Sequence, residues 1–104
     1  MSQINWKERA EHMNFNGQAF INGQRVDAVS GATFECISPC DGRKLADVAR
    51  CDKADVDAAV KVAREAFEDG RWAHMSPRKR KEILIRFADL IVQSKSELAL
   101  TETL

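Results

Sequence analysis

The sequence lacks a charge bias. Lysine plus arginine and aspartate plus glutamate number 16 each, so the formal net charge is zero, and nothing global draws the chain to nucleic acid or to an anionic membrane. Long apolar runs are also missing: no segment approaches the ~20 residues that cross a bilayer. Met1 to Asn14 is polar and mixed in charge, without the apolar centre of a secretory signal. No Pro/Gly/Ser-rich linker divides the chain. Its 104 residues are the length of one small domain, which packed alone would bury roughly 60–70% of its unfolded surface.

Cysteine is sparse and odd in number. Cys36, Cys40 and Cys51, in a chain without a secretion signal, are expected as reduced thiols in the cytoplasm. Cys36 and Cys40 could be half of a zinc site, but a structural site takes four ligands. Neither His12 nor His74 falls at a ligand-like spacing, so unpaired, partly buried thiols are expected. A nucleophilic Cys or Ser needs a base in reach and an oxyanion-stabilising loop, and no histidine is near Cys36 or Cys40 in sequence. Dinucleotide binding needs a glycine-rich turn between strand and helix. The five glycines fall instead in hairpin turns and caps. Chemistry alone therefore marks no catalytic residue and no cofactor site.

What is present is an ordered succession of elements. Residues 1–18 form an N-terminal arm or short helix, with Ile4, Trp6, Ala10 and Met13 at loosely helical spacing. Residues 19–50 form a β-hairpin region. Ala19-Phe20-Ile21 and Gln24 to Ala28 flank Asn22-Gly23, and both turn residues tolerate the positive φ of a type I′ turn. Thr33 to Ile37 reads as a third strand with Phe34 and Cys36 on one side, Ser38-Pro39-Cys40-Asp41-Gly42 as a turn, and Lys44 to Arg50 as a fourth strand.

Residues 51–104 form a helical region of three amphipathic helices. Asp52 and Asp55 stand at the first helix start, where carboxylates meet free N–H groups. Val56, Ala59, Val60, Ala63 and Phe67 then make one apolar stripe, and Gly70 stands at the C-terminal cap. Ser76 caps the second helix and Pro77 opens it; Leu84, Phe87, Ala88 and Ile91 line it, widened by Ile83 and Leu90. Ser96 is the expected cap of the third, with Leu98, Thr101 and Leu104 as its stripe. That pattern runs to Leu104 without a stop signal, so the chain is expected to continue in a longer parent. Strands at one end and helices at the other make an α+β unit.

The basic run Arg78-Lys79-Arg80-Lys81 sits in the first turn of a helix, where cations oppose the dipole. A helix-turn-helix reading would set it against phosphate with Trp72 beside it. The neutral balance and the surrounding acids Glu65, Glu68, Asp69 and Glu82 favour a solvated face or salt-bridge partners instead.

Taken in order, Phe20-Ile21-Asn22-Gly23, Thr33 to Pro39 with Asp41-Gly42, Asp55 to Val60, Ala63 to Phe67, Trp72, Arg80 and Glu97 to Leu104 resemble the opening of an aldehyde dehydrogenase. Within the family the chain looks most like bacterial enzymes of ω-amino aldehydes, such as γ-glutamyl-γ-aminobutyraldehyde or betaine aldehyde dehydrogenases. The resemblance implies a fragment of the larger α/β aldehyde dehydrogenase fold. Its parent would oxidise an aldehyde to an acid with NAD or NADP, through a cysteine thiohemiacetal and a glutamate base. It also implies that the nucleophile, the base, the oxyanion asparagine and the residues holding the dinucleotide lie C-terminal to anything here, so that Cys36, Cys40 and Cys51 match none of them. Some members bind a monovalent cation through backbone carbonyls at the positions matching Cys36 and Ile37, with an aspartate just after the position of Leu104. That aspartate is missing here, so the cation site would be incomplete.

The expected partners are thus the rest of the parent chain and, for the fragment alone, other copies of itself, with no nucleic acid and no membrane. The alternatives are an interaction module binding nucleic acid or protein through Arg78 to Lys81, and a structural oligomerisation unit.

Overall fold

A computed structural model describes residues 3–104; Met1 and Ser2 of the expected arm lie outside the described residues. Helix α1, Trp6–His12, starts where Asn5 Oδ1 accepts the Glu8 N–H at 3.2 Å. Strands β1 (Ala19–Ile21) and β2 (Gln24–Val26) form an antiparallel hairpin, Phe20 opposite Arg25. Asn22 and Gly23 take φ of 55° and 74°, the double left-handed geometry of the expected type I′ turn. The second strand stops short of the expected Ala28. Asp27 accepts from the Gln18 side-chain amide at 2.9 Å, and the Ala28 carbonyl accepts the Gly31 N–H at 2.8 Å, so the backbone leaves the ladder for a turn.

Strands β3 (Thr33–Ile37) and β4 (Lys44–Ala49) make the second hairpin. Arg50 falls outside β4, although its N–H still reaches the Ala32 carbonyl at 2.8 Å. The register breaks between Cys36, opposite Ala46, and Ile37, opposite Lys44, leaving Leu45 as the extra residue of a bulge. Glu35 and Asp47 face each other across the pair, a like-charge juxtaposition that would destabilise a sheet. Lys44 offsets it, with Nζ 2.9 Å from Asp47 and 3.7 Å from Glu35. The Gly17 carbonyl accepts the Ala49 N–H at 2.7 Å, and a Cβ at Gly17 would run into the Asp47 carbonyl. Glycine lets the segment before β1 lie flat on β4.

Three further helices follow: α2 (Lys53–Glu68), α3 (Pro77–Gln93) and α4 (Lys95–Thr103). Asp52 and Asp55 form a reciprocal capping box on α2. Gly70, at φ 78°, takes the left-handed position past its end. Ser76 Oγ accepts the Lys79 N–H at 3.2 Å, with Pro77 in the first turn. The third start is a correction. Ser94 both closes α3 and opens α4, and the expected cap Ser96 lies inside the helix. One residue separates the two helices, so no loop offers Ser96 the extended backbone of a cap.

Packing departs further from the sequence pattern. On α4 the buried residue is Leu100, 8% exposed, rather than Leu98; the Thr101 hydroxyl bonds back to the Glu97 carbonyl at 2.8 Å, and Leu104 lies beyond the helix. On α2 the stripe Val56, Val60, Phe67 faces solvent, Phe67 being 65% exposed. Of the expected stripe Ala59 is half-buried, and it continues into Val62 and Ala66, also half-buried, on the adjoining side of the helix; these three line a hollow with Phe20 and Ile21 of the first hairpin, Ala63 of the expected stripe beside them. No residue of α3 is buried, and Phe87 is 60% exposed.

Among the described residues the buried hydrophobic ones are Ala28 and Leu100, and only the paired strands lie extensively against each other. The chain is a plate of 46 × 43 × 17 Å with a radius of gyration of 17.8 Å, against about 13 Å for a closed domain of this length. Its accessible surface is 8736 Å², where a folded protein of this mass exposes roughly 5,900 Å². The α+β class and the order of hairpins before three helices hold, but one layer is largely without the second that a domain needs.

Candidate functional site

The most constrained polar group is the Asp55 side chain, 4% exposed. One carboxylate oxygen accepts the Asp52 N–H at 3.0 Å and the other the Val29 N–H at 2.8 Å. The bond from Asp52, then that from Val29, hold the carboxyl below its usual range, because both favour the charged form. Asp55 thus caps α2 and pins the β2–β3 loop to it. Nearby, the protein around the Cys51 sulfur and then the negative charges of Asp55 and Asp52 push that thiol up, which opposes nucleophilicity.

A second cluster joins the β3–β4 turn to the end of α4. Ser38, 1% exposed, donates its N–H to the Arg43 carbonyl and accepts the Gly42 N–H on its own, both at 2.9 Å. Its Oγ accepts the Cys40 N–H at 3.2 Å. The Cys40 thiol donates to the Thr103 carbonyl at 3.4 Å, across 63 positions. The Arg43 guanidinium donates to the Ala10 carbonyl at 2.8 Å and ties α1 to the same turn.

Cys36 and Ile37, the expected carbonyl ligands, lie just before this turn, one on each side of the register break. Successive strand carbonyls normally point to opposite edges, and a break in the ladder interrupts that alternation. Among the described residues no three of His, Cys, Asp and Glu group as metal ligands. The donors available there are carbonyl oxygens, suited to a hard cation of low charge.

Among the described residues no hydrogen bond joins a cysteine to a histidine. Cys36 is half-buried; Cys40 and Cys51 are exposed, against the expectation of partial burial. The His12 ring is 2.8 Å from the Glu8 carbonyl, and the His74 ring lies over Gly70. Among the described residues no glycine stands in a turn from strand to helix. Gly23, Gly31 and Gly42 turn loops, Gly17 lies on β4 and Gly70 ends a helix. The α2 N-terminus, which could receive a phosphate, is already closed by two carboxylates.

Arg78, Lys79, Arg80 and Lys81 occupy the first turn of α3. At about 100° per residue they spread around the helix instead of forming one face. Arg78 is 3.6 Å from Glu82. Arg80 and Lys81 border an apolar groove of about 450 Å³ with Pro77, Leu84, Ile85 and Ala88. No helix among the described residues is long and apolar enough to cross a membrane.

Residues 26–104 match the family described as the aldehyde dehydrogenase family. The chain belongs to that family. It is 42% identical over 104 residues to an aminoacetaldehyde dehydrogenase of Pseudomonas aeruginosa, covering 100% of this chain and 21% of that protein. It superposes with a TM-score of 0.94 on γ-glutamyl-γ-aminobutyraldehyde dehydrogenase from Burkholderia cenocepacia, at 50% identity over 96% of this chain and 20% of the other. The same TM-score and coverages, at 53% identity, relate it to a P. syringae indole-3-acetaldehyde dehydrogenase mutant in complex with NAD+ and IAA. This aldehyde dehydrogenase chain therefore spans about a fifth of the length of these relatives.

The family match explains the exposed stripes of α2 and α3 as surfaces of a larger fold. The Val29–Asp55 bond escapes sequence reasoning, since Asp55 announces itself only as a capping residue and its second partner is 26 positions away.

Proposed function

We propose that this chain is the N-terminal part of an enzyme that oxidises an aldehyde to a carboxylic acid while reducing NAD or NADP, and that by itself it is inactive. What supports this is the match along 96% of the chain to a relative solved with NAD+, together with the lack of a nucleophile–base pair and of a dinucleotide turn among the described residues. The segment's own work is structural. It supplies two hairpins and the Asp55-pinned helix, and offers the apolar faces of α2 and α3 to the rest of the fold.

For the substrate class we propose ω-amino aldehydes, on the strength of relatives named for aminoacetaldehyde and γ-glutamyl-γ-aminobutyraldehyde. The indole-3-acetaldehyde relative is equally similar in structure, so the test sets both classes side by side. The full-length enzyme is supplied with NAD or NADP and each aldehyde, and absorbance of the reduced cofactor is followed. Faster turnover of aminoaldehydes is expected, whereas a preference for indole-3-acetaldehyde overturns the substrate proposal. Turnover by the 104-residue chain alone overturns its proposed inactivity.

We also place the work of the whole enzyme in the cytoplasm, where free thiols persist. In the same enzyme the Cys36 and Ile37 carbonyls contribute to a monovalent-cation site. Potassium is expected to raise the melting temperature above that in a tetramethylammonium salt of equal strength; equal values overturn the cation proposal.

A further inference from the structure

The tripeptide Asn-Gly-Gln occurs twice, at Asn16-Gly17-Gln18 and at Asn22-Gly23-Gln24. In both copies glycine follows asparagine, so no Cβ hinders the backbone nitrogen beside the carboxamide. An unfolded chain treats the two alike, and the fold does not. At the first copy Asn16 Oδ1 accepts the Gln18 N–H at 2.8 Å, and the Asn16 amide donates to the Gln18 side chain at 3.4 Å. The Gly17 carbonyl accepts the Ala49 N–H at 2.7 Å, and the glycine lies too close to the Asp47 carbonyl for any added atom. At the second copy no hydrogen bond among the described residues holds the Asn22 carboxamide, and a Cβ on Gly23 would meet nothing within 4 Å. Asn22 is held at a positive φ of 55°, a region that an L residue leaves with relief of strain. Its turn closes a hairpin of three residues per strand, which opens at small cost.

We infer that Asn22 is a site of spontaneous, water-driven deamidation and that Asn16 is protected from it. The reaction is independent of the proposed enzymatic activity. The Gly23 nitrogen attacks the Asn22 carboxamide carbon. A new C–N bond forms, the carboxamide C–N bond breaks, and ammonia leaves with the Gly23 amide proton. Water then opens the five-membered imide. Cleavage at the side-chain carbonyl gives aspartate, and cleavage at the main-chain carbonyl gives isoaspartate. Nothing is oxidised or reduced. Either product places a new negative charge at the hairpin tip. Isoaspartate also adds one methylene to the main chain of a two-residue turn, whose length sets the strand register. Asn22 and Gly23 border the hollow between the hairpin and α2, beside Arg71, so the change falls where these two elements meet.

The test keeps the full-length enzyme in mildly alkaline buffer, native and in urea. Amide-to-acid conversion at each asparagine is followed by mass spectrometry of the digest, with chromatography to separate aspartate from isoaspartate. Each native rate divided by its rate in urea isolates the contribution of the fold. That ratio is expected to be roughly tenfold higher at Asn22 than at Asn16, whose carboxamide must first break its hydrogen bonds. Equal ratios, a higher ratio at Asn16, or no conversion of Asn22 in the native protein overturns the inference.

Discussion

Asp55 accepts the backbone N–H of Val29 at 2.8 Å and so ties the loop after the first hairpin to the first turn of α2. The bond joins the two halves of the chain through a carboxylate that is 4% exposed. Asp55→Asn is therefore expected to lower the melting temperature at neutral pH. Asp55→Ala is expected to lower it further, because it leaves the Val29 and Asp52 N–H groups without that partner.

The same carboxylate sets an acid limit. Its folded value lies below the ordinary one, first through the Asp52 N–H and then through that of Val29. Its contribution is thus fully present above the unfolded value of about 3.9 and is lost as pH falls through the lower folded value. Thermal melts from neutral pH into acid should show wild type losing stability below about pH 4, with Asp55→Asn flatter over that interval.

Cys51 reports on the same corner. Its thiol is pushed up by the surrounding protein and then by Asp55 and Asp52, so less thiolate is present at any given pH. Alkylation of Cys51 by iodoacetamide, followed by mass spectrometry of the digested chain, is expected to be slower than that of a free peptide thiol. Asp55→Asn should quicken it, and an unchanged rate would remove the carboxylate from the explanation.

Gly17 and Gly23 separate two uses of glycine. A Cβ at Gly17 meets the Asp47 carbonyl, a backbone group that has no rotamer to swing aside, while one at Gly23 meets open space at φ 74°. Gly17→Ala is expected to cost about 1–3 kcal/mol as overpacking. Gly23→Ala is expected to cost about 1–2 kcal/mol as left-handed strain. Denaturant midpoints give both costs. Chemical shifts of β4 should move in the first variant and stay in the second.

Phe87 distinguishes the isolated chain from the whole enzyme. It is 60% exposed here, so Phe87→Ala should change helicity little in the 104-residue chain. In the full-length protein, where the proposed function covers this face, the same substitution is expected to cost about 3–5 kcal/mol. Equal small effects in both settings would mean that the stripe of α3 stays uncovered.

Local chemistry was legible in the sequence wherever a residue type permits few alternatives. Asn22-Gly23 gave its hairpin, Pro77 after Ser76 gave the start of α3, and Gly70 gave the stop of α2. Burial was harder to read. Of the expected stripe Val56, Ala59, Val60, Ala63 and Phe67, the two alanines line the hollow toward the hairpin with Val62 and Ala66, while Val56, Val60 and Phe67 face solvent. Periodicity says that a face is apolar, not which neighbour covers it. Ser96 failed as a cap for a related reason: composition identifies a capping residue but not how few residues separate two helices. Of the site, the aspartate pair at α2 could be read in advance, whereas Val29, Cys40 and Thr103 enter through pairings across 26 and 63 positions.

Ser94 alone joins α3 to α4, and that leaves no slack in the junction. One residue inserted there would swing the following helix by about 100°, carrying Leu100 out of its seat and Thr103 away from Cys40. Length variation among descendants of this gene should thus be absent from the junction and gather at exposed tips such as Asn22-Gly23, where an added residue disturbs nothing beyond its own turn.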